Sequence, residues 1–184
     1  DVDSAKLMAL FEDCGIRMCS SGREVAEEAD AVVLAVKPQM FGEVLPPLAP
    51  ALHGSRPLVI SIAAGKTLHA IEELLGAGLP LVRVMPNLNA KVGEAMSAFC
   101  GNELVQEGHR NTVRMILESV GEAVELEEKQ FSIFSVLSGC SPAYTLMYID
   151  TLAEAGVRGG LPKPLALKIA SQAVLGTARL LQET

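Results

Sequence analysis

The chain has 184 residues, about half of them hydrophobic, with two Tyr, five Phe and no Trp. Its core is therefore expected to be aliphatic, which suits parallel sheets and packed helices better than an all-β sandwich. A net charge of −7 without any basic run argues against nucleic acid as a partner, because counterion release needs clustered Lys and Arg. No stretch approaches the ~20 apolar residues needed to span a bilayer, and none reads as a signal peptide.

Residues 4–13 predict a helix with Ala5, Leu7, Met8, Leu10 and Phe11 on one face and Gly15 as its stop. A short strand is expected over 16–19 and a short acidic helix over 22–29. The unbroken apolar run 31–36, bounded by Asp30 and Lys37-Pro38, reads as a strand buried on both faces. Pro38 suits the first turn of a helix over 38–51. A second buried strand is expected at 57–62, then a turn of small residues at 63–66. Thr67 is placed to N-cap a helix over 68–75, and a third strand, 81–85, ends at Pro86-Asn87. Strand, helix, strand, helix, strand at this spacing predicts right-handed βαβ units and a parallel sheet. A strand at 95–100, an amphipathic helix at 103–119 and a last strand at 123–126 follow.

After Glu128 no strand pattern remains. Residues 129–137 read as helical and 138–142, Ser-Gly-Cys-Ser-Pro, as a break. The helix expected over 142–157 is apolar nearly all round, with only Asp150 and Glu154 charged, so burial on most sides is expected. Gly159-Gly160 stops it. Pro162 and Pro164 open another helix, with Leu165, Ile169, Ala173, Thr177 and Leu180 along one face. The domain boundary is placed near 128.

Cys14, Cys19, Cys100 and Cys140 form no CxxC pair and have no His at metal-ligand spacing. They are read as buried, reduced thiols of a cytosolic protein, with no metal site. His53, His69 and His109 are read as surface residues.

In an open parallel sheet, ligands bind at the carboxyl ends of the strands. Three such ends carry unusual residues: Ala35-Val36-Lys37-Pro38, Ala63-Ala64-Gly65 and Met85-Pro86-Asn87. Small residues allow close approach of backbone to ligand. Helices beginning at Pro38 and Thr67 would aim amides at the same edge, favouring an anion. Taken singly, each segment is ordinary turn chemistry; the three in series suggest a dinucleotide laid across the sheet edge.

These segments, with Leu137–Tyr144 (containing Ser-Gly-Cys-Ser-Pro-Ala-Tyr) and Asp150–Pro162, resemble successive signatures of pyrroline-5-carboxylate reductases, in order and spacing, over essentially the whole chain. The resemblance implies a Rossmann-type, mostly parallel α/β domain over 1–128, lacking its first βαβ unit, and an all-helical dimerisation and substrate domain over 129–184. It implies NAD(P)H-dependent reduction of 1-pyrroline-5-carboxylate to L-proline, the last step of proline biosynthesis, in a cytoplasmic homodimer or larger ring. NADP(H) or NAD(H) would be bound by Ala35–Pro38 at the adenosine and phosphate portion. Ala63, Ala64, Gly65, Met85, Pro86 and Asn87 would flank the nicotinamide. Gly139, Cys140 and Ser141 would be substrate-proximal, and no catalytic side chain is assigned. Relatives often read Thr-Pro where this chain has Leu88-Asn89, which removes a hydroxyl near the cofactor. The family's Gly-rich pyrophosphate loop and its Gly-Gly-Thr substrate loop would lie outside Asp1 and Thr184, so the 184 residues alone are expected to bind cofactor weakly and turn over little. Two alternatives stand beside this reading. One is another β-hydroxyacid-type or F420-dependent dehydrogenase, for which Lys163 or Lys168 would have to serve as the catalytic lysine. The other is a non-catalytic helical dimerisation module.

Overall fold

The computed structural model describes residues 3–184, which divide into two compact units, one ending at Phe131 and one running from Ser132 to Thr184. In the first unit, α1 (Ser4–Cys14) is capped by the Asp3 carboxylate, which accepts from the Ala5 and Lys6 amides, and ends at Gly15 in the left-handed region. Helix α2 (Gly22–Glu28) is capped by Ser21. The alternation then runs β1 (Ala31–Leu34), a 3-10 turn Pro38–Met40, α3 (Phe41–Ser55), β2 (Leu58–Ser61), α4 (Leu68–Leu75) and β3 (Leu81–Met85). A 3-10 turn over Leu88–Val92 leads to β4 (Ala95–Gly101), α5 (Glu107–Glu118) and β5 (Gly121–Glu125).

The five strands form one sheet in sequential order. Strands β1, β2 and β3 are mutually parallel, β4 is antiparallel to β3, and β5 is parallel to β4. Both faces are covered. On one, Val59 and Leu81 pack with Phe41, Leu45 and Leu52 of α3 and Ile71 of α4. On the other, Ile60, Val82, Val84 and Phe99 meet Val113 and Leu117 of α5. Cover on both sides is why β2 and β3 read as continuous apolar runs. Gly121 starts β5 at φ 149°, and a Cβ there would overlap the Ala95 backbone, so the absence of a side chain is what lets β5 enter the sheet two residues before the strand expected over 123–126.

Three expectations are corrected. Residues 16–19 form no strand: a strand is defined by its ladder, and no described strand lies beside them. Arg17 instead forks to Glu24 and Glu28 of α2. His53 is not a surface residue; it is half-buried, with Nε2 2.8 Å from the Leu75 carbonyl at the end of α4. Among the cysteines, only Cys100 is buried, while Cys14 and Cys140 are exposed and Cys19 is intermediate.

The second unit continues from α6 (Phe131–Phe134) through a π-helical stretch, Ser135–Cys140, into α7 (Ser141–Arg158) and α8 (Lys163–Glu183). The break expected at 138–142 is therefore a widened helical turn, not an interruption. Pro142 falls in the first turn of α7, where a missing N–H costs nothing. The expectation that 142–157 is buried on most sides is also overturned for the single chain. Ala153 is its one buried residue, while Tyr144 and Met147 are 66% and 67% exposed. Helices α7 and α8 meet through small residues: a Cβ on Gly156 would stand 3.1 Å from the Ala166 Cβ, and Ala166 and Ala170 are the buried residues of α8. The Leu165 and Ile169 face stays exposed. No described helix is long and apolar enough to cross a membrane.

Burial pushes the Cys100 thiol up from its ordinary 9.0 to about 12, with Glu128 adding to the shift and Arg83 opposing it. The native state thus holds a proton that the unfolded chain has lost in the interval between those values. Its contribution to stability is complete below the unfolded value and declines as pH rises toward the folded one. Cys100→Ala should flatten the alkaline fall of the urea midpoint over this window, and iodoacetamide should label Cys14 and Cys140 in native protein but Cys100 only on unfolding.

Candidate functional site

Parallel pairing fixes where the three strand ends lie. The last β1–β2 pair is Leu34 with Ser61, and the last β2–β3 pair is Ser61 with Arg83. The Ile62 amide still donates to the Leu34 carbonyl at 3.3 Å. The segments after β1, β2 and β3 therefore leave the same edge of the sheet on adjacent strands, about 4.8 Å apart per step.

Ala35, Val36 and Lys37 are exposed and Pro38 is half-buried. Lys37 precedes the 3-10 turn, its carbonyl accepting from Met40 at 2.9 Å. In the next turn Ala63 is buried while Ala64 and Gly65 are exposed. Gly65 has φ 75°, and an added Cβ would meet nothing within 4 Å; the backbone requires glycine and the space above it is open. Lys66 places Nζ 5.9 Å from the Phe41 ring centroid. Met85, Pro86 and Asn87 are half-buried. The edge thus offers an open turn of small residues that ends at Lys66, flanked on one side by the stretch carrying Lys37 and on the other by Met85-Pro86-Asn87.

One detail differs from expectation, and the geometry adds another. Helix α4 does not aim a free first turn at this edge. Its Leu68 amide donates to Glu128 Oε1 at 2.8 Å and its Ala70 amide to Thr67 Oγ1 at 3.1 Å. Asn87 turns its Oδ1 onto its own loop, accepting from the Asn89 amide at 3.2 Å. The Pro that relatives often carry at that place would have no such N–H to give.

Residue-by-residue reading missed a part-buried ion pair behind this edge. Arg83, nearly buried on β3, donates to Glu128 Oε1 at 2.9 Å and lies 4.5 Å from the Phe131 ring centroid. A lone charge inside the run Leu81-Val82-Arg83-Val84-Met85 was the signal, since buried charges take partners. The partner, 45 residues away, carried none.

In the second unit, Gly139 and Cys140 lie on the π-helical stretch and Ser141 opens α7. Such widened turns recur at functional positions. Lys163 pairs with Asp150 at 2.6 Å, so its ammonium is engaged by a carboxylate. No group of His, Cys, Asp or Glu suited to a metal occurs among the described residues.

Residues 128–184 match the family model described as pyrroline-5-carboxylate reductase dimerisation, and residues 2–65 match NADP oxidoreductase, coenzyme F420-dependent. The solved structure of 1-pyrroline-5-carboxylate reductase from Streptococcus pyogenes superposes with a TM-score of 0.89 at 36% identity, covering 98% of this chain and 68% of that one. This chain belongs to the pyrroline-5-carboxylate reductase family. The Plasmodium falciparum pyrroline carboxylate reductase with NADP bound gives a TM-score of 0.86 at 34% identity, covering 94% of this chain and 65% of its own. The pyrroline-5-carboxylate reductase of Synechocystis is 40% identical over 172 residues, 92% of this chain and 62% of the relative. The chain spans somewhat less than two thirds of the length of the first such curated relatives.

Gly65 gives a direct test of the edge. Gly65→Ala forces a non-glycine residue to φ 75° without a clash, at about 1–2 kcal/mol. A correspondingly small fall in thermal stability is expected, together with weakened dinucleotide binding by fluorescence titration.

Proposed function

We propose that this chain forms part of an enzyme that reduces 1-pyrroline-5-carboxylate to L-proline with NAD(P)H. The observation carrying the proposal is the edge at which β1, β2 and β3 end in adjacent register, with an open small-residue turn at its centre. The NADP bound by the Plasmodium relative supports the cofactor, and the family supports the substrate.

A reduced nicotinamide, when bound, supplies the hydride. The chain's own residues do the positioning. Ala64 and Gly65 keep side-chain bulk away from the ring, so backbone and ligand can approach closely. Lys37 and Lys66 offset phosphate charge in a chain that is otherwise acidic. Ala35, Val36 and Pro38 would flank the adenosine portion, and Ala63, Met85, Pro86 and Asn87 the nicotinamide end. Gly139, Cys140 and Ser141 are assigned to the substrate on family resemblance alone. A cyclic imine protonates readily, so its carbon is already electrophilic, and holding it at near-attack distance carries most of the catalysis. This accounts for an edge without an acid–base pair.

The family model over 128–184 supports a homo-oligomer assembled through the helical unit, as a dimer or a larger ring. The exposed Tyr144, Leu146, Met147 and Tyr148 of α7 are the surface such assembly would cover. The F420-dependent alternative gains little from Lys163, whose ammonium already faces Asp150. A cytoplasmic location is proposed from the biosynthetic role.

The complete gene product, supplied with 1-pyrroline-5-carboxylate and NADPH or NADH, should consume the reduced dinucleotide and release L-proline in equal amounts. Consumption without proline would overturn the proposal. Met147→Glu should shift the assembly toward monomer in sedimentation velocity, since a charge at a covered apolar contact is left unpaired.

A further inference from the structure

We infer that Glu128 is a positioning residue for the turn Ala63–Lys66, holding it in place for the dinucleotide; the inference rests on the function proposed above. One carboxylate oxygen, Glu128 Oε1, accepts from the Leu68 amide at 2.8 Å and from Arg83 Nη1 at 2.9 Å. It thereby ties the start of α4 to β3 across 60 and 45 residues of chain. At its other end the turn is fixed by Ser61, fully buried, whose Oγ accepts from the Ala63 amide at 3.4 Å. Ser61 sits in register with the same Arg83. Both ends of the turn are thus referred to one residue of β3, upstream through the ladder and downstream through Glu128. Arg83 is itself held against the Phe131 ring and is nearly buried, so the reference point is fixed.

Forming α4 does not call for this arrangement. Thr67 already caps the helix by accepting from Ala70, and a local side chain would serve helix stability equally well. An acceptor brought from 60 residues away fixes where the helix starts in space, and with it the exposed Ala64 and Gly65 immediately upstream.

The test uses the complete gene product as wild type, Glu128→Ala, Glu128→Gln, Glu128→Asp and Asn102→Ala. Asn102 is the stability control. Its Oδ1 accepts from the Leu81 amide at 3.1 Å, and its Nδ2 donates to the Leu79 carbonyl at 2.9 Å and to Glu72 Oε1 of α4 at 2.7 Å, so its loss loosens α4 away from the first turn and leaves the Leu68 amide on Glu128. Glu128→Ala should raise the KM for reduced dinucleotide about tenfold, the worth of one hydrogen bond to a charged group, with kcat changed less than about threefold on the same scale. Amide exchange over 64–68 should quicken in the same variant. Glu128→Gln, which keeps an oxygen in place, should recover most of the KM. Glu128→Asp, which withdraws the oxygen by one methylene, should raise it several-fold and carries the test if the alanine variant does not fold. Asn102→Ala should lose thermal stability with KM unmoved. An alanine or aspartate variant whose KM moves no more than that of Asn102→Ala, or whose exchange over 64–68 is unchanged, overturns the inference. Wild-type protein that consumes no reduced dinucleotide overturns the functional reading and the positioning role together, and is told apart because the wild type is what fails.

Discussion

The whole arrangement depends on the direction of the β1–β2–β3 ladder. Parallel strands can be joined only by crossovers that return the chain to the starting edge, so every strand finishes at the same side and every helix begins there. Once Leu34, Ser61 and Arg83 are paired in series, three separate loops become neighbours without any contact between their side chains. The antiparallel entry of β4 ends that series. On that side the shared edge stops at β3, because β4 runs the other way.

Behind that edge the interior is mostly apolar, and Arg83 is the charged residue buried in it. Removing a guanidinium from water is costly unless it is paired and hydrogen-bonded, and here a carboxylate and an aromatic face both meet it. The pair contributes little to net stability by this reasoning. What it contributes is definition, because Glu128 cannot satisfy Arg83 and the Leu68 amide together unless β3, α4 and the end of the first unit take one arrangement.

Much of this was legible in the residues. The apolar runs that became β1, β2 and β3 announced strands covered on both faces, and Thr67 announced the start of α4. The small-residue turn at 63–65 was visible as a turn, and Gly65 does take the positive φ that its type permits. The failures share a cause. Residues 16–19 have strand-like composition, but composition does not supply a neighbour. The strand expected over 123–126 begins earlier, at Gly121, whose backbone lies against Ala95. The run 138–142 looks like an interruption because glycine and proline are there, yet the widened turn takes in Gly139 and the first turn of α7 takes Pro142. The amides of α4 seemed available because their acceptor lies 60 residues on. Local chemistry was readable; pairings at long sequence separation were not.

The seam between α7 and α8 has a further consequence. By placing Ala153, Gly156, Ala166 and Ala170 at the contact, the hairpin draws its backbones close and turns its bulky side chains outward, the reverse of an ordinary globular hairpin. Among the described residues the hairpin therefore presents adhesive surface, and for as long as that surface stays uncovered during folding it invites aggregation, which makes the speed of its covering matter as much as the free energy of the fold.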